Sequence, residues 1–106
     1  MQTIENINQI LEQKEAVMLY FSSPSCSVCH VLKPKLEAAI KENFDLFEVV
    51  GIDISTSQEV AAHFGVFTAP TVIIYLGGRE FLRKSRNMSV DEVVREIARP
   101  YEIMTS

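Results

Sequence analysis

The sequence has no tryptophan, only two cysteines, and just four glycines and four prolines in 106 residues. With so few chain breakers there is no linker, low-complexity tract or internal repeat, and one domain spanning 1–106 is expected at this length. Cations are scarce too: ten Lys and Arg face fourteen Asp and Glu, for a net charge of −4. That balance argues against nonspecific binding to nucleic acid or to an anionic membrane, because neutralising phosphates takes clustered positive charge. Long apolar runs are also missing. Val72 to Leu76 and the stretch around Leu19 fall far short of the roughly 20 residues that cross a bilayer. Residues Met1-Gln2-Thr3-Ile4-Glu5-Asn6 carry no basic region, apolar signal core or small-residue cleavage site, so a cytoplasmic protein is expected. In a reducing compartment two cysteines are poor candidates for a structural staple, which raises metal binding or redox chemistry.

Thr3 can cap a first helix with Ile4, Ile7, Ile10 and Leu11 on one face. Residues 16–21 are apolar without alternation, as in a strand buried on both sides. Ser22-Ser23-Pro24-Ser25 breaks that strand, and a helix starts near Cys26 with Leu32, Leu36, Ala39 and Ile40 as its buried stripe and a bend at Pro34. Phe47 to Ile54 reads as a second strand. Ser55 and Ser57 offer caps, and Ser55-x-x-Gln58 fits a capping box, for a short helix that buries Val60, Ala61 and Phe64 and stops at Gly65. Thr71 to Leu76 is a third strand, joined through Gly77-Gly78 to a fourth, Arg79 to Ser85. Asn87 or Ser89 opens a last helix, Ser89-x-x-Glu92 fitting a second capping box, and Pro100 is expected to end it, leaving Tyr101 to Ser106 without an element. The order α-β-α-β-α-β-β-α predicts an α/β sandwich, its helix-separated strands parallel and its hairpin adding an antiparallel edge.

Both cysteines lie in Ser23-Pro24-Ser25-Cys26-Ser27-Val28-Cys29-His30, between the first strand and the second helix. Cys26 in the first helical turn meets unsatisfied backbone N–H groups and the positive end of the helix dipole, and both favour thiolate. At Cys-x-x-Cys sites the first thiol can fall from about 8.5 to between ~3.5 and ~7.5. Cys29 follows one turn later, on the same side. The spacing predicts that Cys26 attacks a substrate disulfide and that Cys29 resolves the mixed disulfide. Cys-x-x-Cys-His also matches haem attachment, with Met88 or Met104 as a second axial ligand, but the strand content fits small c-type cytochromes poorly. A zinc site from Cys26, Cys29, His30 and His63 has the wrong spacing for a finger. Arg79, Arg83, Lys84 and Arg86 form the only basic cluster, read as a solvated edge strand with charges on opposite faces. Tyr20, Phe21, Phe44, Phe47, Phe64, Phe67 and Tyr75 read as core and near-site packing.

The chain resembles the thioredoxin family over essentially its whole length. The resemblance rests on Cys26 and Cys29 after a buried strand, Pro34 five residues past Cys29, Asp53 ending the next strand, Ala69-Pro70-Thr71 before the third, and Gly78 in the hairpin. It implies a three-layer α/β/α sandwich around a central mixed sheet and a monomeric thiol–disulfide oxidoreductase serving cell redox homeostasis. Such a protein needs no metal and no cofactor beyond its own disulfide. It also implies a cis peptide bond before Pro70 and substrate binding along Ala69, Pro70 and Thr71, with Ser25, Ser27, Val28 and Tyr20 flanking the sulfurs. The implied partners are disulfide-containing proteins, with an upstream thiol reductase or a low-molecular-weight thiol as electron donor. The departures are specific. Thioredoxins proper carry Trp-Cys-Gly-Pro-Cys, where this chain has Ser25-Cys26-Ser27-Val28-Cys29. Their buried aspartate falls on Tyr20, their buried lysine near Val49, and a glycine of the substrate-facing loop near Arg86. Losing the buried charges keeps a rival in view, a thioredoxin-fold binding module whose cysteines do not turn over.

Overall fold

The apolar run at residues 16–21 becomes the strand that every other element is built against. In a strand successive side chains alternate between faces. Val17, Leu19 and Phe21 therefore enter one core, and Ala16, Met18 and Tyr20 enter another. The computed structural model describes residues 2–106. Among these the elements run α1 (Ile4–Gln13), β1 (Ala16–Ser22), α2 (Ser27–Asn43), β2 (Phe47–Asp53), α3 (Gln58–His63), β3 (Thr71–Leu76), β4 (Arg79–Ser85) and α4 (Val90–Thr105). The sheet order is β2-β1-β3-β4. Helices α1 and α3 cover the face that holds Val17, Leu19 and Phe21. Helices α2 and α4 cover the face that holds Met18 and Tyr20. The result is the expected three-layer α/β/α sandwich.

Local signals explain most boundaries. Thr3 Oγ1 accepts from the Asn6 N–H at 3.1 Å and starts α1. Ser89 Oγ accepts from the Glu92 N–H at 3.1 Å and starts α4. Gly77 and Gly78 both take positive φ, 60° and 80°, as a two-residue hairpin turn between right-twisting strands requires.

Three expectations are corrected. β2 is parallel to β1, but β3 is antiparallel to it, with Phe21 opposite Thr71 and Ala16 opposite Leu76. A parallel return would need a helix long enough to retrace the sheet. Six residues of α3 rise only about 9 Å, against about 23 Å for a seven-residue strand. The chain therefore re-enters the sheet at the end it left. Second, Ser55 does not cap α3. The cap residue is Ser57, without a side-chain bond, because the Ser55 N–H and hydroxyl both donate to the Asp53 carboxylate, at 2.8 and 2.6 Å. Third, α4 continues through Pro100 to Thr105. A proline removes one backbone donor, and here the turn beyond it is held from outside. The Tyr101 ring packs on Phe44 and Phe47, with centroids 4.7 and 5.8 Å away, and its hydroxyl accepts from the Leu46 N–H at 3.0 Å.

Candidate active site

β1 ends at the rim of the sheet, and the chain turns at once into α2. The turn closes with the Cys26 N–H donating to the Ser23 carbonyl at 3.1 Å. Cys26 is the N-cap of α2, and its Sγ accepts from the Cys29 N–H at 3.2 Å. This is the bond a capping serine hydroxyl would make. The Cα atoms of Cys26 and Cys29 lie 5.3 Å apart and the two sulfurs are bonded. Burial separates them: Cys26 is half-buried, whereas Cys29 is 1% exposed and belongs to the core between the sheet and α2.

The flanking residues divide in the same way. Ser25, Ser27 and Val28 are exposed, Val28 by 58%. Tyr20 is fully buried beneath them, on the face of β1 that meets α2, and its hydroxyl donates to the Cys29 carbonyl at 3.0 Å. Burial pushes its phenol up to about 12. Val49 is half-buried and leans on the same core, so no charge stands at that position either. His30 is exposed, with Nε2 3.3 Å from the Pro24 carbonyl.

A second loop meets the site through β3, whose first residue pairs with Phe21 near the end of β1. The Ala69–Pro70 bond is cis. Pro70 and Thr71 are buried, and Ala69 is half-buried against the core that contains Cys29. The Thr71 hydroxyl donates to the Thr68 carbonyl at 2.8 Å and lies 3.2 Å from Ser85 Oγ, which stiffens the loop. The Arg86 N–H donates to the Pro70 carbonyl at 2.8 Å. Arg86 holds a φ of 61°, a left-handed conformation that glycine adopts more readily.

One expectation about packing fails here. Phe67 is not core but 78% exposed. It sits in the irregular segment between Gly65 and Pro70, where no hydrophobic periodicity marks a side chain as inward or outward.

The remaining candidates lie apart from the sulfurs. His63 is exposed on α3, across the sheet from α2, and among the described residues no three His, Cys, Asp or Glu side chains gather to hold a metal ion. Asp53 ends β2 with its carboxyl held below the ordinary range by the Ser55 hydroxyl and N–H. The basic cluster splits as its alternation predicts. Arg83 donates to the Phe64 carbonyl and to both Glu80 oxygens. Lys84 reaches Glu92 and Glu96 of α4 from the other face.

The Thioredoxin family profile matches residues 1–99. The thioredoxin-like protein YdfQ of Bacillus subtilis (strain 168) is 29% identical over 101 residues, covering 95% of this chain and 89% of its own. A thioredoxin of the same organism is 32% identical over 87 residues, covering 81% and 83%. Among solved structures, thioredoxin 1 of Thermosipho africanus superposes with a TM-score of 0.76 at 38% identity, covering 85% of this chain and 99% of its own. A mutant thioredoxin from Halobacterium salinarum gives 0.81 at 21% identity, covering 95% and 87%.

Proposed function

The chain belongs to the thioredoxin family, and from that premise we propose that it reduces disulfides of other proteins with Cys26 as nucleophile and Cys29 as resolving thiol. Its family and its bonded Cys-x-x-Cys pair make it a thiol–disulfide oxidoreductase. The unequal setting of the two sulfurs carries the finer assignment. Cys26 is reachable, caps α2 and accepts a backbone N–H; Cys29 is enclosed. A thiolate at Cys26 keeps that hydrogen bond and the favourable end of the helix dipole. It attacks one sulfur of the partner's cystine, and the other leaves as thiol. Cys29 then attacks Cys26, the internal disulfide re-forms, and the partner departs fully reduced.

Ala69, Pro70 and Thr71 would lie along the bound segment, with Val28 and Phe67 offering apolar contact beside it. An upstream thiol reductase or a low-molecular-weight thiol would return Cys26 and Cys29 to the dithiol. Such a protein would serve cell redox homeostasis as a cytoplasmic monomer. A Cys29→Ser variant mixed with a cystine-containing protein should accumulate a covalent adduct through Cys26. Trapping that requires Cys29 instead would reverse the two roles.

A further inference from the structure

Cys29 must lose a proton before it can attack, because the thiolate and not the thiol is the nucleophile. Its surroundings offer that proton no side-chain acceptor. On its side of the sheet the core is hydrocarbon, with Leu36, Val72, Ile74, Val93 and Ile97 fully buried. β1 and β3, the strands beneath it, hold no Asp, Glu, Lys, Arg or His. On α2 the exposed His30 ring lies against the Pro24 carbonyl, and Lys33 pairs with Glu37 at 3.7 Å. On α4, Glu92 and Glu96 hold Lys84. On β2, Glu48 is exposed and Asp53 is held by Ser55. Residues 67–70 carry no charge, and Arg86 beyond them is exposed. Apart from Cys26 itself, the phenol of Tyr20 is among the described residues the one side chain hydrogen-bonded to Cys29, and its hydrogen is committed to the Cys29 carbonyl.

We propose that Tyr20 is a positioning residue, which ties the first turn of α2 to β1, and that Cys29 resolves the mixed disulfide without an internal base. Resolution then draws on the small fraction of Cys29 that ionises against solvent, a fraction held down by burial in apolar surroundings. The Cys29 proton passes to water, the Cys29 thiolate attacks Cys26 Sγ, and the bond from Cys26 to the partner's sulfur breaks. The partner's thiolate takes up a proton, so two electrons have moved from the cysteine pair to the partner's cystine. The mixed disulfide is consequently long-lived at neutral and acidic pH. Tyr20 cannot shorten that life, since burial keeps its phenol protonated there.

This rests on Cys26 as the nucleophile, and one experiment separates the two claims. Reduced protein is mixed with equimolar dithiobis(nitrobenzoate) in a stopped-flow instrument. The first equivalent of nitrothiolate reports attack by Cys26 and the second reports resolution by Cys29. The second phase should accelerate about tenfold per pH unit between about pH 6 and 8, while the first varies far less. Tyr20→Phe should keep that slope, because it removes the tie and not a base. Tyr20→Asp should flatten the slope and speed the second phase at least about tenfold near neutrality by supplying a base. A wild-type second phase independent of pH, or a slope altered by Tyr20→Phe, overturns the proposal. An absent first phase would instead overturn the role of Cys26. The wild-type profile decides the matter even where the aspartate variant fails to fold.

Discussion

Reducing the Cys26–Cys29 bond should lower the stability of the fold by an amount that loop closure sets. The ring spans residues 26–29, and a cross-link closing four residues removes about 6 cal/mol/K from the unfolded chain, or about 2 kcal/mol at room temperature. One native interaction opposes this. In the reduced protein a Cys26 thiolate accepts the Cys29 N–H at the head of α2, a helix-terminus effect of about 0.3–1 kcal/mol. The net expectation above the unfolded thiol's value of about 8.5 is therefore about 1–1.5 kcal/mol in favour of the oxidised form. The offset has a sign in pH. A group that favours its ionised form in the fold contributes above its unfolded value, and the contribution fades as pH falls. The gap should thus widen toward the full ~2 kcal/mol as pH falls from about 9 to neutrality. Urea titration of oxidised and phosphine-reduced protein, followed by far-UV circular dichroism, reads this directly. With a urea slope of about 1–2 kcal/mol/M, the midpoints should differ by about 1–2 M near neutrality. Coincident midpoints in mild acid, where the thiolate offset is gone, would refute the loop-closure argument.

Tyr101→Ala should destabilise the protein by about 2–3 kcal/mol, less than a fully buried aromatic because the ring is only half-buried against Phe44 and Phe47. Tyr101→Phe should cost only about 0.5–1 kcal/mol, the worth of the bond from the Leu46 N–H, and thermal melts of the two variants separate packing from hydrogen bonding. The Glu80 carboxyl is held below its ordinary 4.5 by the Arg83 guanidinium, so its contribution is present above that value and lost as pH falls through the lowered one. Glu80→Gln should accordingly flatten the acid limb of stability against pH without moving the neutral plateau upward. Arg86→Gly relieves a left-handed backbone at about 1–2 kcal/mol but returns about 0.5–1 kcal/mol through the freer unfolded chain. A gain of at most about 1.5 kcal/mol in urea is expected, and a clear loss would mean that the arginine side chain contributes contacts of its own.

The sheet's heart was readable because residues 16–21 must be apolar on both sides to be covered by helices on both sides. The helix cap at Thr3 was readable, and the one at Ser89 was narrowed to Asn87 or Ser89, because such hydroxyls act within three residues. What could not be read depends on partners distant in sequence. Nothing near Pro100 says that Tyr101 will find Phe44 and Phe47, more than fifty positions earlier, and carry α4 onward. The direction of β3 follows from the shortness of α3, a length that periodicity leaves loose by several residues. Ser55 and Gln58 have the spacing of a capping box, yet an ionised acceptor at Asp53 outcompetes the cap. The cis bond at Pro70 came from family resemblance alone, since composition favours trans at any single X-Pro bond.

Tyr20 shows how position in a pattern becomes chemistry. The residue count along β1 places it on the same face as Met18, toward α2, and one helical turn places Cys29 above it. Shifted by one residue, the same tyrosine would face α1 and α3 and leave the sulfurs alone. The parity that builds the core thus also chooses which polar group lies under Cys29. In this chain that group is a hydrogen-bond donor with its proton already engaged. With Cys26 as the proposed nucleophile and Cys29 as the proposed resolving thiol, the helix terminus would act on the first step and the strand beneath Cys29 on the second, so the two steps should be separately alterable. Substitutions at Ser25, Ser27 or Val28 should act on attack, and substitutions at Tyr20 on release.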